Sequence, residues 1–552
     1  MRPQQKAVLE SLQKNWGTKK VFFIGMPTGS GKSPVGVAIA RWLNSAYILT
    51  ESKQLQDQYK AEFTGLHNIK GKASYSCNRM PSVNVSDALC AGSVNLVSRC
   101  RGTMECSYYQ ARDKAMQSAV MLSNYAYFFT SYQSVTKRKR DAIICDEGHV
   151  LEHQLVNQIT LDIDLDDLNE HLEFETDIVF PTDYDECLNT LVTLSKELTV
   201  KACELINKQY QFYKHALSSI DIESMDTKAM EIALEPDPWL LKEFKQMLEK
   251  AVGGLDFESA GRIQSPKLKW INRKVSKCDS LLNQLGFVTE NLSDEWVIDN
   301  ISSKHIKVTP FNAKRLFEDY MFSRAERIVI MSATLGSVPI LIDELGLDPD
   351  DCMYIDTDST FDSSKAPIYY MPGPSLSYKN YSSNIHETVQ LLDTVLEMYP
   401  NEKGIVHTGN YRVLNDILKK SKYVSRFIAK TDDKMRNEDL IREHMKRSGP
   451  SVLISPSMHS GVDLKDDLAR FQIIMKLPYA SLKDARVNKK RETIHNWYEN
   501  DVMTKVIQAS GRAIRHDQDY ADTYVLDTSF KRVYSALKDD LPSHFLDRIV
   551  WN

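Results

Sequence analysis

The sequence predicts an α/β protein made of two parallel-sheet blocks, and three observations carry that prediction. Short apolar runs suited to buried strands alternate with helical periodicity over both the first and the last part of the chain. A glycine-rich turn joins the first such run to a helix, as a βαβ beginning requires. Polar residues stand directly after the apolar runs, at the carboxyl ends of strands, where open parallel sheets bind ligands. With 552 residues the chain exceeds the roughly 250–300 residues at which a single core stops growing, so three or four structural units are expected.

Taken in order, Val21–Ile24 reads as a short strand, Met26–Ser33 as the glycine-rich turn, Val35–Leu43 as an amphipathic helix and Ala46–Leu49 as the next strand. Ala142–Cys145 is a third buried strand, and Arg327–Met331 a fourth that runs into Ser332-Ala333-Thr334. Between these, Leu161–Lys304 breaks the alternation with long helical periodicity at Leu191–Leu217, Pro238–Ala251 and Leu268–Leu285, which predicts a mainly helical insertion. A second alternating block begins near residue 345. Its strands are expected at Gly404–His407, Val452–Ser455, Gln472–Met475 and Thr523–Leu526, with helical patterns at Tyr411–Lys420 and Glu438–Lys446.

Charged residues make up 26% and hydrophobic ones 42%, the balance of an ordinary globular protein. No apolar run approaches the roughly 18 residues of a membrane span and no signal peptide is apparent, so a cytoplasmic protein without a membrane partner is expected. The net charge of −5 does not announce a nucleic-acid binder, but Asp162–Glu186 holds eleven acidic residues and no Lys or Arg. Any nucleic-acid path must then be a local basic groove. Nine cysteines, five of them scattered singly (Cys145, Cys187, Cys203, Cys278, Cys352), suit a reducing compartment.

Met26-Pro27-Thr28-Gly29-Ser30-Gly31-Lys32-Ser33 fits a phosphate-binding loop apart from Met at its first position. Glycines let backbone N–H groups wrap phosphates, Lys32 neutralises the β/γ oxygens, and the Ser33 hydroxyl holds Mg²⁺. Pro34 in the first helical turn is tolerable because its missing N–H would have no intrahelical partner. Asp146-Glu147-Gly148-His149 follows a buried strand, which places Asp146 for Mg²⁺ and Glu147 for the attacking water. In Gln508-Ala509-Ser510-Gly511-Arg512-Ala513-Ile514-Arg515, the spacing sets Gln508, Arg512 and Arg515 on one helical face, from which two guanidiniums could reach a γ-phosphate.

Cys77, Cys90, Cys100 and Cys106 lie between these motifs with spacing C-x₁₂-C-x₉-C-x₅-C. That pattern is neither a zinc ribbon nor a ferredoxin run, so spacing alone leaves zinc, iron–sulfur and unligated thiols open.

The motif order resembles superfamily 2 helicases of the XPD/DinG type over nearly the whole chain. It comprises Arg2-Pro3-Gln4-Gln5, the phosphate loop, the four cysteines, the acidic box, Ser332-Ala333-Thr334-Leu335, Gly461-Val462-Asp463 and the Gln508–Arg515 segment. Local phrases match as well, among them Cys106-Ser107-Tyr108-Tyr109, Ser123-Asn124-Tyr125 and Lys476-Leu477-Pro478-Tyr479. The resemblance implies two RecA-like motor domains, an iron–sulfur module and an arch-like helical insertion, with ATP, Mg²⁺ and a 4Fe-4S cluster as cofactors. It further implies that Arg2 and Gln5 contact the adenine, that Thr28, Gly29, Ser30, Gly31, Lys32 and Ser33 cradle the phosphates, and that Asp146 and Glu147 serve metal and water. Gln508, Arg512 and Arg515 would complete the site, Ser332, Thr334 and Asp463 would couple it to domain movement, and the four cysteines would hold the cluster. Two departures stand out: Gly148 replaces the usual Ala, and His459-Ser460 stands where Trp-Glu is common.

The expected domains are a first motor domain at 1–72, 113–160 and 305–342, an iron–sulfur module at 73–112, the insertion at 161–304 and a second motor domain at 343–552. The expected activity is an ATP-driven helicase moving on single-stranded DNA, 5′→3′ by resemblance, acting as a monomer on forked or tailed duplexes. A translocase or RNA/DNA-hybrid remodelling motor is the second reading, and a nucleotide-gated DNA-binding module the third. No nuclease-like domain precedes the phosphate loop, so a fused exonuclease is not expected. Candidate strand contacts are Thr50, Lys53, Gln54, Thr408, Asn410 and Tyr411. Tyr75, Tyr108, Tyr109 and Tyr125 are candidate stacking residues, and Thr136–Arg140 is expected to be a solvated basic loop, with phosphate contact as its second reading.

Overall fold

The computed structural model describes residues 2–27, 29–88, 98, 100, 106–131, 134–216, 228, 231, 237–252, 266–357, 362–432, 435–456, 464, 466–511 and 519–551. In chain order its strands are β1 Val21–Gly25, β2 Ala46–Thr50, β3 His67–Asn68, β4 Val120–Asn124, β5 Arg140–Asp146, β6 Leu161–Asp164, β7 Trp296–Ser302, β8 His305–Pro310 and β9 Ala325–Ser332. They continue as β10 Cys352–Asp356, β11 Ile368–Tyr370, β12 Gly404–His407, β13 Phe427–Ala429, β14 Val452–Ser455, β15 Phe471–Ile474, β16 Asp522–Val525 and β17 Ile549–Trp551. The chain forms two compact units, one of Met1–Glu51, Lys139–Glu152 and Phe317–Asn552, the other of Ser52–Arg138 and His153–Leu316.

In the first unit, strands run parallel in the order β10-β1-β9-β5-β2. Every residue of β1 and β2 is buried. That explains their unbroken apolar sequence, since a parallel strand covered on both faces has no polar side to show. The register sets Gly25 opposite Ser332 and Asp146 opposite Met331, so three of the motifs leave the sheet at the same edge.

A second parallel sheet in this unit has the order β13-β14-β12-β15-β16-β11-β17. All four strands expected there are present, with β15 and β16 beginning one residue earlier than their apolar runs suggested. The three-residue strands β11, β13 and β17 are too short to carry a period. β10 corrects the expected boundary at 342/343, because it pairs with β1 and extends the first sheet to Asp356. It is an edge strand with Tyr354 and Asp356 exposed, so it lacks the apolar run of its neighbours.

In the second unit, the helices Tyr184–Ala216 and Pro266–Asn291 pack on each other, and Pro238–Val252 packs on the first. Leu191, Leu194, Leu198 and Leu205 fall on one stripe and are buried with Phe244, Cys278 and Leu285, as 3.6-residue periodicity requires. The insertion is not helical alone. β6, β8 and β7 form an antiparallel sheet, and its middle strand, His305–Pro310, lies wholly beyond residue 304. Leu161 and Ile163 point inward while Asp162 and Asp164 point out toward His305, a period of two lost within an acidic run.

Thr136 and Arg140 correct the solvated-loop expectation. Thr136 is buried and donates to Phe128 O at 3.0 Å, and Arg140 lies on β5 over the Tyr47 ring at 4.7 Å. Lys137, Arg138 and Lys139 are the exposed part of the basic run. Among the described residues no helix is long and apolar enough to cross a membrane.

Candidate active site

The glycine-rich turn hangs from the β9 backbone, because the Met26 N–H donates to Ser332 O at 3.1 Å. Ser30, 3% exposed, closes it by donating its hydroxyl to Pro27 O at 2.6 Å. Gly29 and Gly31 have φ of +76° and +89°, a region that L side chains rarely adopt. Gly31 caps the helix Lys32–Leu43 with no side chain at its N-terminus, which leaves first-turn N–H groups and the positive dipole end to an anion. Lys32 Nζ donates to Met26 O at 3.3 Å.

The N-terminal helix braces this turn. Gln5 Nε2 donates to Ser30 O and Gly31 O, each at 3.2 Å, and Gln5 Oε1 accepts from the Arg2 N–H at 2.8 Å. Arg2 Nη1 donates to Gly29 O at 2.8 Å. A Cβ on Gly31 would lie 2.2 Å from Gln5 Nε2 and would displace that amide from the turn, while the positive φ is what requires glycine. Arg2, Gln5, Gly31, Pro34 and Val35 line an open cleft of about 590 Å³.

β5 ends in Asp146, 2% exposed. The next residue, Glu147, has φ +51° and donates its N–H to Asp146 Oδ1 at 3.0 Å. Left-handed backbone on a glutamate is uncommon, and here it turns the chain sharply at the strand end. Gly148 sits so tightly on β9 that a Cβ would meet Ile330 Cγ2 at 2.4 Å, which accounts for glycine at a position where alanine was the expectation.

His149 is the hub of the site. Its Nδ1 lies 2.9 Å from Ser332 Oγ, 3.3 Å from Thr334 Oγ1 and 3.5 Å from Glu147 Oε2. Its Nε2 accepts from the Gln508 amide. A ring nitrogen that accepts from an amide N–H assigns the proton to Nδ1, from which it is donated to Ser332 Oγ. Ser332 Oγ in turn donates to Glu147 Oε2 at 3.4 Å and accepts from the Thr334 N–H at 3.0 Å. A directed hydrogen-bond chain therefore runs Gln508, His149, Ser332, Glu147. Sequence reasoning named three of these four and missed the hub, because one histidine after an acidic pair carries no signal until β9 and the Trp497–Ser510 helix converge on it.

The two sheets of this unit are also joined away from the relay. Asn500 Oδ1 accepts from the Ser337 N–H at 2.8 Å, and Ser337 Oγ donates to Asp540 at 2.8 Å. Lys490, 1% exposed, donates to Glu152 at 3.0 Å and Glu344 at 2.5 Å; Trp497 donates to Glu344 at 2.6 Å, and Arg486 pairs with Glu152. Lys490 and Arg486 hold the Glu152 carboxyl below its ordinary range against burial, whereas burial, opposed by Lys490 alone among the cations, leaves Glu344 above its own. None of this cluster was legible in sequence.

In the cysteine segment, Cys100 and Cys106 are buried and Cys77 is half-buried against the core of the second unit. Ser107 Oγ donates to Ser76 O at 2.8 Å, tying the residue after Cys106 to the residue before Cys77. No disulfide joins the described cysteines, and among the described residues no group of three or more potential ligands gathers as a metal site. Soft thiolates on tethered loops are the donor type that iron–sulfur chemistry requires, so the residues present suit such a group. Cys90 lies outside the described residues, as do Thr28, Asp463, Arg512 and Arg515.

Of the expected strand contacts, Lys53 and Gln54 are exposed, whereas Thr50 and Thr408 are fully buried. The Thr408 hydroxyl donates to Asn410 O at 3.1 Å, and Asn410 caps the following helix by accepting from the Val413 N–H at 2.9 Å. The tyrosines are mostly packing. Tyr125 is fully buried, Tyr108 stacks edge-on with Tyr75 and Tyr109, and its hydroxyl meets that of Tyr127 at 3.0 Å.

Comparison with known proteins matches residues 393–546 to the "Helicase C-terminal domain" family and residues 1–173 to the "Type III restriction enzyme, res subunit" family. The chain is similar to the "ATP-dependent DNA helicase CHL1" of Meyerozyma guilliermondii, 27% identical over 184 residues, which cover 28% of this chain and 22% of that protein. It is also similar to the mouse "ATP-dependent DNA helicase DDX11", 27% identical over 111 residues, or 18% of this chain and 12% of the relative. The chain thus spans less than a quarter of these relatives' length. Among solved structures, one titled "XPD_Helicase" matches with TM-score 0.62 at 13% identity, and one titled "Structure of S. tokodaii Xpd4" with TM-score 0.57 at 16% identity. Each covers 100% of both chains.

Proposed function

This chain belongs to the superfamily 2 helicases of the XPD/DinG type, and we propose that it is an ATP-dependent DNA helicase that moves 5′→3′ on single-stranded DNA and opens forked or tailed duplexes. The observation that carries the reading is the relay from Gln508 through His149 and Ser332 to Glu147. It connects the residue expected to act on the attacking water with a helix of the second sheet. An ATPase with no work to do has no need of such a link; a motor needs hydrolysis to depend on domain position.

Bound Mg²⁺–ATP would bring the phosphoanhydride to be split, with charge on its transferring phosphoryl group neutralised by the metal. The chain's own part follows from its residues. Gly29, Ser30, Gly31 and the start of the Lys32–Leu43 helix would wrap the phosphates, and Lys32 would leave Met26 O for the β/γ oxygens. Ser33 and Asp146 would hold the metal, while Glu147 would orient or deprotonate water. Arg2 and Gln5 shape the cleft where the base would lie. Arg512 and Arg515 follow the Trp497–Ser510 helix directly in sequence and would stabilise transition-state charge. The Thr408 and Asn410 side chains serve the fold, so the reading shifts phosphate contact toward Lys53, Gln54 and Tyr411.

Cys77, Cys90, Cys100 and Cys106 would hold a 4Fe-4S cluster that staples a loop-rich module beside the strand path, in keeping with a reducing, cytoplasmic setting. Anaerobically purified protein should show broad visible absorption that Cys106→Ser removes; stoichiometric zinc in a colourless preparation would refute the cluster. For the motor, 5′- and 3′-tailed duplexes are compared with and without ATP, alongside Lys32→Ala. Unwinding of only the 5′-tailed substrate, lost in the variant, supports the proposal. Turnover stimulated by single strands without duplex opening would favour a translocase that remodels protein–nucleic-acid complexes.

A further inference from the structure

We propose that Arg548 is a positioning residue for ATP turnover: it bolts the end of the helix that carries Gln508 to the second sheet, so that Gln508 reaches His149. The inference goes beyond the relay and rests on it. An α-helix leaves its last carbonyls without intrahelical partners, and an end left so tends to fray. At the end of Trp497–Ser510 the Gly511 N–H serves Ile507 O at 3.1 Å and Gln508 O at 3.3 Å, and Ser510 Oγ donates to Ile507 O at 3.0 Å. Ser510 O, in the same last turn as Gln508, is served from outside the helix. Arg548 Nη2 donates to it at 2.9 Å and the Gln472 amide at 3.3 Å.

Both donors belong to the second sheet. Gln472 is fully buried on β15. Arg548 stands immediately before the edge strand β17; its Nε donates to Ala366 O at 2.7 Å, and its own carbonyl accepts from the Ile368 N–H at 2.7 Å, at the start of β11. One guanidinium thus ties the helix end to the backbone leading into β11, while its own backbone is fixed in the sheet. Among the described residues no carboxylate pairs with Arg548, and its charge stands at the carbonyl end of the helix, where the macrodipole is negative and a cation is stabilising. Gln508 is the relay's member on this side, and its partner His149 follows the first sheet's β5. A hydrogen bond weakens steeply as its angle degrades, so a frayed last turn would open the relay without touching the phosphate loop.

The test measures ATP hydrolysis stimulated by a single-stranded DNA oligonucleotide, at a temperature where melting curves show the variants folded. It compares wild-type protein, Arg548→Met, Arg548→Lys, Gln508→Ala and the double variant Arg548→Met/Gln508→Ala. Arg426→Met is the control, because Arg426 likewise clamps backbone carbonyls, those of Leu396, Tyr399, Glu402 and Pro450, but beside β13 at the opposite edge of the same sheet. Arg548→Met keeps the apolar stem and loses the donors. It should lower the turnover number about three- to tenfold, with the KM for ATP changed less than twofold, and by no more than Gln508→Ala does. Arg548→Lys, with one ammonium in place of a fork, should fall between. In the Gln508→Ala background Arg548→Met should slow turnover no further, since the two act through one contact. Arg426→Met should lower the melting temperature and leave turnover unchanged. If Gln508→Ala does not slow turnover, the relay reading fails and this inference falls with it. If Gln508→Ala slows turnover while Arg548→Met does not, or slows both backgrounds equally, or is matched by Arg426→Met, this inference alone is overturned. Should Arg548→Met not fold, Arg548→Lys with and without Gln508→Ala decides.

Discussion

Lys490→Met should be among the most damaging substitutions remote from the phosphate loop, and its cost can be worked from the partners. The side chains of Lys490, Glu152 and Glu344 are 2%, 9% and 11% exposed, so solvent screens the cluster little. Removing the ammonium leaves Glu152 with Arg486 but Glu344 with only the Trp497 N–H. Breaking one partner out of a buried ionic cluster typically costs about 3–5 kcal/mol, because it strands a charge. At about 2–4 °C per kcal/mol for a domain of this size, the melting temperature should fall by roughly 6–20 °C. The sign with pH follows from Glu344, whose folded pKa is already raised. The folded variant holds a proton that the unfolded chain releases near pH 4.3, so the deficit grows as pH rises above that value and shrinks below it. Calorimetric melts at two pH values measure this, with Lys490→Met/Glu344→Gln as the partner variant. Rescue of most of the loss by the second change is expected. A loss under about 1 kcal/mol, or no rescue, would show that the cluster is hydrated and the reasoning wrong.

Gln508→Ala should lower the turnover number of ATP hydrolysis about tenfold or more with little change in ATP affinity, since it cuts the relay and not the phosphate loop; steady-state kinetics check the split. Gly148→Ala should cost about 1–3 kcal/mol by overpacking against Ile330, with partial rescue by Ile330→Leu, which removes the branched methyl in the way; urea midpoints report both. Burial pushes the Cys187, Cys278 and Cys352 thiols up to about 11. They should therefore resist alkylation in the folded protein at about pH 8, and labelling as fast as in denaturant, read by mass spectrometry, would contradict their burial.

The two sheets were legible because parallel strands buried on both faces must be apolar throughout, as Val21–Gly25 and Ala46–Thr50 are. The half-exposed edge strand Cys352–Asp356 had no such run and was not read as a strand. The phosphate loop was legible because its chemistry is local: glycines, lysine and hydroxyl act through their own backbone. His149 was not, since its role comes from Ser332 and Gln508, residues distant in sequence that only the folded register brings within reach. For the same reason Glu152, Glu344 and Lys490 read as unremarkable charges on three separate helices.

Those two kinds of connection between the sheets differ in what separation would cost, and that difference constrains how the proposed motor stroke would run. The contact of the relay that joins the two sheets is the single hydrogen bond from the Gln508 amide to the His149 ring, whose groups can exchange each other for water, so parting them costs about 1 kcal/mol. Parting Lys490 from Glu152 and Glu344 strands charges at several times that cost. If the two sheets swing apart and together, the ionic cluster acts as the pivot and the relay as the contact that opens. In that case hydrolysis is enabled only when the helix carrying Gln508 has closed on the acidic box. Lys490→Met should then do more than lower the melting temperature. At temperatures where it is still folded, it should loosen the dependence of ATP turnover on single-stranded DNA, which Gln508→Ala, with the pivot intact, should not do.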